Sequence, residues 1–435
     1  MATLLHSPMP IAMGEPSNQG DHLEWKWLSV VICIGLAMRA AAIVLYHHTP
    51  ESDEIAYASM AMNLINGHGI VDYKGNHAMY SVGYPLFVLA PVFSLFGEST
   101  FAARIANVLL GGVSILLCHR VAREAGANRS GRIIAAAIWA LYLPASVYGV
   151  YLLKENLMVP LMLAVMWCAL RLSKRPSPAA AVTCGLLLGA IALTGSAALS
   201  LGGAVAFALW VCPASFYRRG ILALCIAAGV CSVSAPWIVR NMNVLGAPVL
   251  NTNGGFNLYL GNNPAATGMF VSIVDTPRGK GWEAFRLAQG EVEASESLKR
   301  DAIAWIMEDP ARFAALMVKK AVYFWTPPLH AGKGEASGVE SIIRVLWAIQ
   351  FAIMVLAALG SILTRHISRP HLITLWLAIA GYTAVHMLFY VIFRYREPIM
   401  PILGIIAALS LQPLLSRTGR FTRASRKHAL PVHSD

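Results

Sequence analysis

Apolar runs long enough to cross a bilayer recur along most of this chain, and its polar positions gather in the connections between them. The runs fall at Lys26–Tyr46, Thr100–Cys118, Ile133–Val150, Asn156–Leu172, Ala179–Leu193, Ala197–Cys212, Ile221–Val239, Ser341–Leu363, His371–Ile392 and Pro398–Leu414. Apolar stretches of this kind read as transmembrane helices, so the pattern predicts an all-α polytopic membrane protein of about ten spans. Composition agrees: of 435 residues, 57% are apolar and only 13% charged, against roughly 25% charged in an average soluble domain.

Two polar segments are long. In His47–Ser99, Asp53–Asn66 reads as a short helix with Ile55, Met62 and Leu64 on an apolar side and a stop at Asn66-Gly67. Val82–Phe96 is apolar but short, carries Pro85 and Pro91, and is expected to lie in the membrane interface as an amphipathic helix. The second, Arg240–Gly338, opens with the Gly/Asn-rich stretch Asn251–Gly268, expected to be loop. Trp282–Met307 reads as one helix. Asp309-Pro310 starts another that runs through Phe324, with Asp at the N-cap and Pro at the first helical position, and Thr326-Pro327-Pro328 ends it. The chain thus divides into an N-terminal tail (1–25), a transmembrane module (26–239) holding the outer loop 47–99, a large outer loop (240–338), C-terminal transmembrane helices (339–415) and a basic tail (416–435). Met1–Leu23 is polar, with no signal-peptide pattern, so the first run is expected to stay as a signal anchor.

The net charge of +12 brings nucleic acid to mind, but the basic residues sit in short loops between apolar runs and form no recognition motif. They orient a membrane protein instead. Arg120, Arg123, Arg129 and Arg132, then Arg171, Lys174 and Arg175, then Arg218 and Arg219, then Arg365 and Arg369, and finally the tail Arg417–Lys427 all fall on one side if the N-terminus is cytoplasmic. Both termini are then cytoplasmic, and the two long segments face outward. The seven cysteines lie in or beside apolar runs without metal spacing and read as small buried side chains.

Several charged residues reach the outer face. Asp53-Glu54 follows the first span; a carboxylate there serves as a general base or simply as an acidic helix start. Lys154-Glu155 lies between two spans, where the lysine neutralises a phosphate or snorkels to the interface. Arg394, Arg396 and Glu397 occupy a tight turn before Pro398. Positive-inside bias disfavours such a cluster outside, and two guanidinium groups in one turn suit a phosphate. Arg240-Asn241 ends the seventh span, and the stretch Gly254–Pro264, with Asn262 and Asn263, offers close backbone and amides for sugar hydroxyls, or is plain surface loop. Arg39, inside the first span, is expected to face the bundle. The approach of Asp53, Lys154, Arg240 and Arg394 to one face is the strongest signal, and it fits chemistry on a phosphate-bearing lipid.

In order, Asp53-Glu54, Tyr57, Asn63-Leu64-Ile65-Asn66-Gly67-His68-Gly69, Gly83-Tyr84-Pro85-Leu86, Phe96-Gly97, Arg104, Lys154-Glu155-Asn156, Pro236–Asn241, Gly261-Asn262-Asn263-Pro264 and Arg394–Pro398 form a set. With it the chain resembles the lipid-linked-sugar glycosyltransferases of the dolichyl-phosphate-mannose–protein mannosyltransferase and aminoarabinose transferase type, which have the glycosyltransferase-C fold. The resemblance implies a polyprenyl-phosphate-sugar donor, a glycan, lipid or protein acceptor, and inverting transfer on the periplasmic side of a bacterial inner membrane. It implies Asp53 as base or acceptor-positioning group with Glu54 as companion, Lys154, Arg240, Arg394 and Arg396 on the donor phosphate, and Asn262 and Asn263 in a substrate loop. A monophosphate leaving group lacks the diphosphate that commonly brings a divalent metal, so no metal or other cofactor is expected. Where many relatives carry Leu-Thr-Arg-Pro, this chain has Leu193-Thr194-Gly195-Ser196, one cation fewer in an outer turn. The contrary reading is a secondary transporter or lipid flippase, which tends to show paired repeats and helices broken near the midplane.

Overall fold

The computed structural model describes residues 18–327, 338–364 and 367–412. Among them the chain is helical, with one isolated bridge between Met269 and Val391. Arg365 and the tail Arg417–Lys427 lie outside the described residues, as does most of the N-terminal tail.

Helix α1 spans Asn18–Leu45, α2 Asp53–Ile65, α3 Ala90–Phe96, α4 Thr100–Glu124, α5 Arg129–Ala140, α6 Leu143–Tyr148, α7 Glu155–Lys174 and α8 Pro178–Thr194. They are followed by α9 (Leu201–Val211), α10 (Phe216–Leu245), α11 (Asn253–Gly261), α12 (Trp282–Gln289), α13 (Glu291–Glu308), α14 (Pro310–Trp325), α15 (Gly338–Gly360), α16 (Arg369–Leu388) and α17 (400–412). Polar turn residues close the orphan N–H groups of the apolar helices. Ser99 caps α4, Asn128 caps α5, Ser177 caps α8 and Ser215 caps α10 through their side chains.

Six of these helices, α1, α4, α7, α10, α15 and α16, are long and apolar enough to cross a membrane; α8 and the 196–211 segment are apolar but shorter. They are not equivalent. In α7, 72% of the apolar stretch is buried, against 17% in α1 and in α15. An all-round apolar helix belongs at the bundle centre, and there α7 packs on α4, α8 and α9. Lipid cannot drive helices together by hydrophobicity, so small residues that let backbones approach take that part. A Cβ on Gly185 of α8 would stand 2.2 Å from the Ile226 carbonyl of α10.

The expected span Ile133–Val150 does not form one helix. Pro144 has no N–H to give the turn before it, so α5 stops at Ala140 and α6 restarts with Pro144 in its first turn. The break is bridged by Gln350 of α15, which accepts from Leu143 N (3.1 Å) and donates to the Leu141 carbonyl (3.0 Å). Arg39 satisfies the carbonyls that α5 leaves open, donating to Trp139 O (3.2 Å) and Ala140 O (3.1 Å) from a side chain only 2% exposed. It faces the bundle as expected, as a C-terminal helix cap.

In the outer segments one expectation gains detail and two change. Pro91 lacks an N–H for the turn before it, and the backbone answers with a π-helical turn over Pro85–Leu89 that carries the helix on to Phe96. This segment packs on α2 through Tyr84, Leu89 and Phe93. The Gly/Asn-rich stretch is not loop but contains α11. A Cβ on Gly255 would lie 1.9 Å from the Ser295 carbonyl of α13, so close backbone packing outweighs the poor helix propensity of glycine. Finally, Trp282–Met307 is two helices, because Gly290 turns the chain at φ +80°. Asp309 caps α14 by accepting from Arg312 N (2.9 Å), as the sequence predicts. The outer segments are stitched together by Glu291, which accepts from His77 N, Ala78 N and Thr252 Oγ1.

Candidate active site

Asp53 opens α2 after a sharp turn at Ser52, which has φ +50° and is the one non-glycine residue with positive φ among those described. Strain of this kind persists where the surroundings impose it, and here they do. Glu54, 2% exposed, accepts from Leu152 N (2.7 Å) and Glu51 N (3.2 Å) and bonds His48 Nε2. Arg104 of α4 donates to Val150 O (2.9 Å) and to His48 O. Asn107 and Asn156 donate to Tyr151 O at 3.0 and 2.9 Å. These bonds fix the 148–154 connection against the start of α2, and with it the N-terminus of α7, where Glu155 follows Lys154.

Arg394, from the turn before α17, completes the cluster. Its Nη2 bonds Asp53 Oδ2, and its Nε stands 3.7 Å from Glu155 Oε1. Burial works against the charge on Arg394, but Glu155 and Asp53 outweigh it and hold the guanidinium above its ordinary range. The Asp53 and Arg394 side chains stay about a quarter exposed (26% and 25%), whereas Glu155 is 7% exposed and its Oε2 makes no hydrogen bond. Nε of Arg394 is likewise without a hydrogen bond, so the group is electrostatically held yet retains donors.

Three compartments meet around this cluster. Asp53 and Arg394 line a cavity of ≈ 430 Å³ with Tyr148, Tyr151, Tyr390 and Phe393. Tyr148, Tyr151 and Phe393 are also walls of a second, mostly apolar groove of ≈ 430 Å³ between α6 and α15, lined further by Leu143, Val147, Ile343 and Trp347. Tyr390 is the wall shared with a third chamber of ≈ 250 Å³, where Lys154, Glu155, Ser81, Ser196 and three asparagines, Asn251, Asn253 and Asn257, stand among apolar and aromatic walls. The Tyr395 hydroxyl donates to that of Tyr390 (3.1 Å), which donates to Asn257 Oδ1 (3.3 Å). Burial raises the pKa of Tyr57, Tyr390 and Tyr395, so these hydroxyls stay protonated. The turn that lacks a cation, Gly195-Ser196, opens on the same chamber.

The structure thus brings together Asp53 and Arg394 of the residues singled out from sequence, with Glu54 beneath them as an anchor, and sets Lys154 in the neighbouring chamber beside Glu155. It does not bring in the others. Arg240 lines neither the Asp53 cavity nor the chamber; it lies on Trp237 and donates to Ile70 O (2.8 Å) and His77 O (3.0 Å), fastening the first outer segment. Arg396, 1% exposed, donates to Phe324 O and Thr326 O at 2.8 Å beneath Phe351. Asn262 donates to Leu258 O and Leu388 O and accepts from Lys320 Nζ (3.0 Å), while Asn263 donates to Tyr259 O. Both asparagines are buried caps of α11 rather than cavity walls. In their place stand Glu155, Asn257, Tyr390 and Tyr395. Of these Glu155 carried a signal as the acidic neighbour of Lys154, Asn257 as part of the Gly254–Pro264 stretch and Tyr395 as part of the Arg394–Pro398 motif, while Tyr390 carried none.

The family model described as dolichyl-phosphate-mannose-protein mannosyltransferase matches residues 84–239, which run from the second helix of the first outer segment to the end of the seventh expected span. Among solved structures, the archaeal oligosaccharyltransferase AglB from Archaeoglobus fulgidus, in complex with an inhibitory peptide and a dolichol-phosphate, is similar at 13% identity with a TM-score of 0.55. The match covers 96% of this chain and 53% of that one. The same oligosaccharyltransferase in its apo form gives 14% identity and a TM-score of 0.55, over 97% of this chain and 54% of that one. The chain therefore spans about half the length of these enzymes. ArnT from Cupriavidus metallidurans is 17% identical with a TM-score of 0.43, over 90% of this chain and 60% of that one. No curated protein matches the chain in sequence. The likeness is one of fold: the chain is an integral membrane protein with the glycosyltransferase-C-like architecture expected from its sequence.

Proposed function

We propose that the chain is an inverting glycosyltransferase that moves a sugar from a polyprenyl-phosphate carrier to a hydroxyl acceptor on the extracytoplasmic face. The observation that carries this reading is the junction of an apolar groove with a cavity in which one carboxylate and one guanidinium already meet. AglB, the similar structure, holds a dolichol-phosphate, which supports a lipid phosphate here.

In this reading the lipid lies in the groove between α6 and α15 and its phosphate lies against Arg394, with Lys154 on the chamber side. The phosphate competes with Asp53 for the guanidinium and so releases the carboxylate. Asp53 then accepts the proton of the acceptor hydroxyl as that oxygen bonds the anomeric carbon. The bond from that carbon to the phosphate oxygen breaks, the polyprenyl phosphate leaves with the electron pair, and configuration at the sugar inverts. Positive charge develops on the sugar ring, as in glycoside hydrolysis, while fixed cations offset the charge developing on the leaving group. Glu155 holds Arg394 in place, and Glu54 positions the turn that carries Asp53. The chamber of amides and hydroxyls suits a sugar, and its Gly195-Ser196 rim favours an uncharged one. No step calls for a metal ion, because Arg394 and Lys154 supply the positive charge. Nothing in the fold or the comparisons supports a transporter or flippase.

The test is incubation of the purified protein in nanodiscs with radiolabelled polyprenyl-phosphate hexoses and pentoses, scoring label moved to glycan, lipid or peptide acceptors. Transfer that depends on Asp53 sustains the proposal; the absence of transfer from every such donor, with folded protein, ends it.

A further inference from the structure

At its N-terminus α7 presents Glu155 to the candidate active site; at its C-terminus it presents Arg171 and Lys174 to a different cavity. The helix has 20 residues, about 30 Å at ~1.5 Å per residue, the thickness of a hydrocarbon core. The second cavity therefore lies at the opposite membrane face. It measures ≈ 440 Å³ and is walled by the ends of α4 and α7 and the start of α5. Arg120, Arg123, Arg132, Arg171, Lys174 and Arg175 line it, with Glu124 and Trp167.

Cations near helix C-termini offset the helix dipole, and that requirement is small. Each helix end carries roughly −0.5 charge. Six cations face Glu124, paired with Lys174 at 3.3 Å, and Glu24, paired with Arg132 at 3.1 Å. Together with the two helix ends these leave about three positive charges uncompensated. Among the described residues, Arg120, Arg123, Arg171 and Arg175 have no carboxylate within ion-pair distance. Arg171 instead lies over the Trp167 ring at 4.9 Å, and Arg120 over Trp25 at 5.2 Å. Exposed Trp25, Trp27, Trp210, Phe216 and Tyr217 mark the same end of the bundle as the aromatic belt of a membrane–water interface.

We propose that this cavity is a binding site for a phosphate-bearing anion at headgroup level, separate from the Asp53 site. Guanidinium groups converging from several helix ends suit phosphate oxygens through forked hydrogen bonds. The phosphate comes either from an anionic phospholipid of that leaflet or from a soluble phosphate compound. Native mass spectrometry of the purified full chain tests this with dioleoylphosphatidylglycerol, dioleoylphosphatidylcholine and inorganic pyrophosphate as probes. The expected result is retention of phosphatidylglycerol over phosphatidylcholine, displaced by pyrophosphate. Arg123→Gln/Arg171→Gln/Arg175→Gln, all exposed positions, should weaken both ligands at least tenfold, whereas Arg218→Gln/Arg369→Gln, outside the cavity, should not. Pyrophosphate binding that the triple variant abolishes, without lipid retention, assigns the site to a soluble phosphate. Equal loss in both variants, no loss in the triple variant, or equal retention of phosphatidylcholine would reduce the cavity to general surface charge and overturn the proposal.

Discussion

In the segment between α1 and α4, the carboxylate of Asp53 remains partly exposed and meets Arg394 at the wall of a cavity. From Arg240 onward, side chains of the same chemistry are spent on the backbone: Arg240 on two carbonyls, Asn262 on two more, and Glu291 on two N–H groups and a hydroxyl. Within one turn, Arg394 lines the cavity with a quarter of its side chain exposed, whereas Arg396 is buried and holds two carbonyls through Nη1. A polar side chain close to the active face is thus not evidence of a polar ligand. What separates the two sets is whether the fold leaves the side chain at a cavity wall or buries it against the backbone.

The division is open to attack at its strongest point first. Asp53→Asn keeps the shape and most hydrogen bonds but removes the base, and should cut transfer by about 10²–10⁴-fold; activity within a few fold of the parent would move the base elsewhere. Arg394→Gln should cost about 10²–10³ in turnover, the usual scale for losing one fixed transition-state donor, and Arg394→Lys should recover part of it. Arg240→Ala should act on the fold instead. Losing charged hydrogen bonds to Ile70 and His77 should cost about 2–4 kcal/mol, seen as a lower thermal midpoint with turnover per folded molecule little changed. The opposite pattern would put Arg240 on the substrate.

Lys320 gives the framework a pH signature. Burial pushes its ammonium from 10.5 down to about 8, so the folded chain binds that proton less tightly than the unfolded one. The resulting penalty is complete below pH 8 and fades as the pH climbs to 10.5. Relative to Lys320→Met, the parent should gain stability across that window, by about 3 kcal/mol at most; a flat difference would mean that the amine is solvated. The smallest effect expected is none, for chelation of divalent metal before the transfer assay, and a chelator-sensitive rate restored by one added metal would revise the chemistry.

How far the sequence reaches follows the same line. Transmembrane helices are written locally, in unbroken apolar runs, and most appear where the pattern put them. The exception at 141–143 needed only Pro144 to be weighed against the run around it. Helix α11 was hidden because the glycines that argue against it are there for a neighbour, α13, that no local window contains. The meeting of Asp53 and Arg394 was legible from their positions at the same ends of their helices, since the membrane sorts residues by depth. That Arg240 ends on Ile70 and His77 was not, because which carbonyl passes a guanidinium is decided by the path of a loop distant in the chain.

Helix α15 is held at the α5–α6 corner through Gln350 and through Trp347, whose Nε1 donates to the Tyr142 hydroxyl at 3.0 Å, and along one stripe by Phe351, Met354 and Ala358, while Ile349, Ile353 and Leu356 stay exposed. It forms one side of the apolar groove, but a single side wall whose outer face is exposed is not a tube. A long prenyl tail entering there would leave sideways into the surrounding lipid and never be measured from end to end. Selection among carriers would accordingly rest on the headgroup and the first few isoprene units, leaving tails of very different length interchangeable.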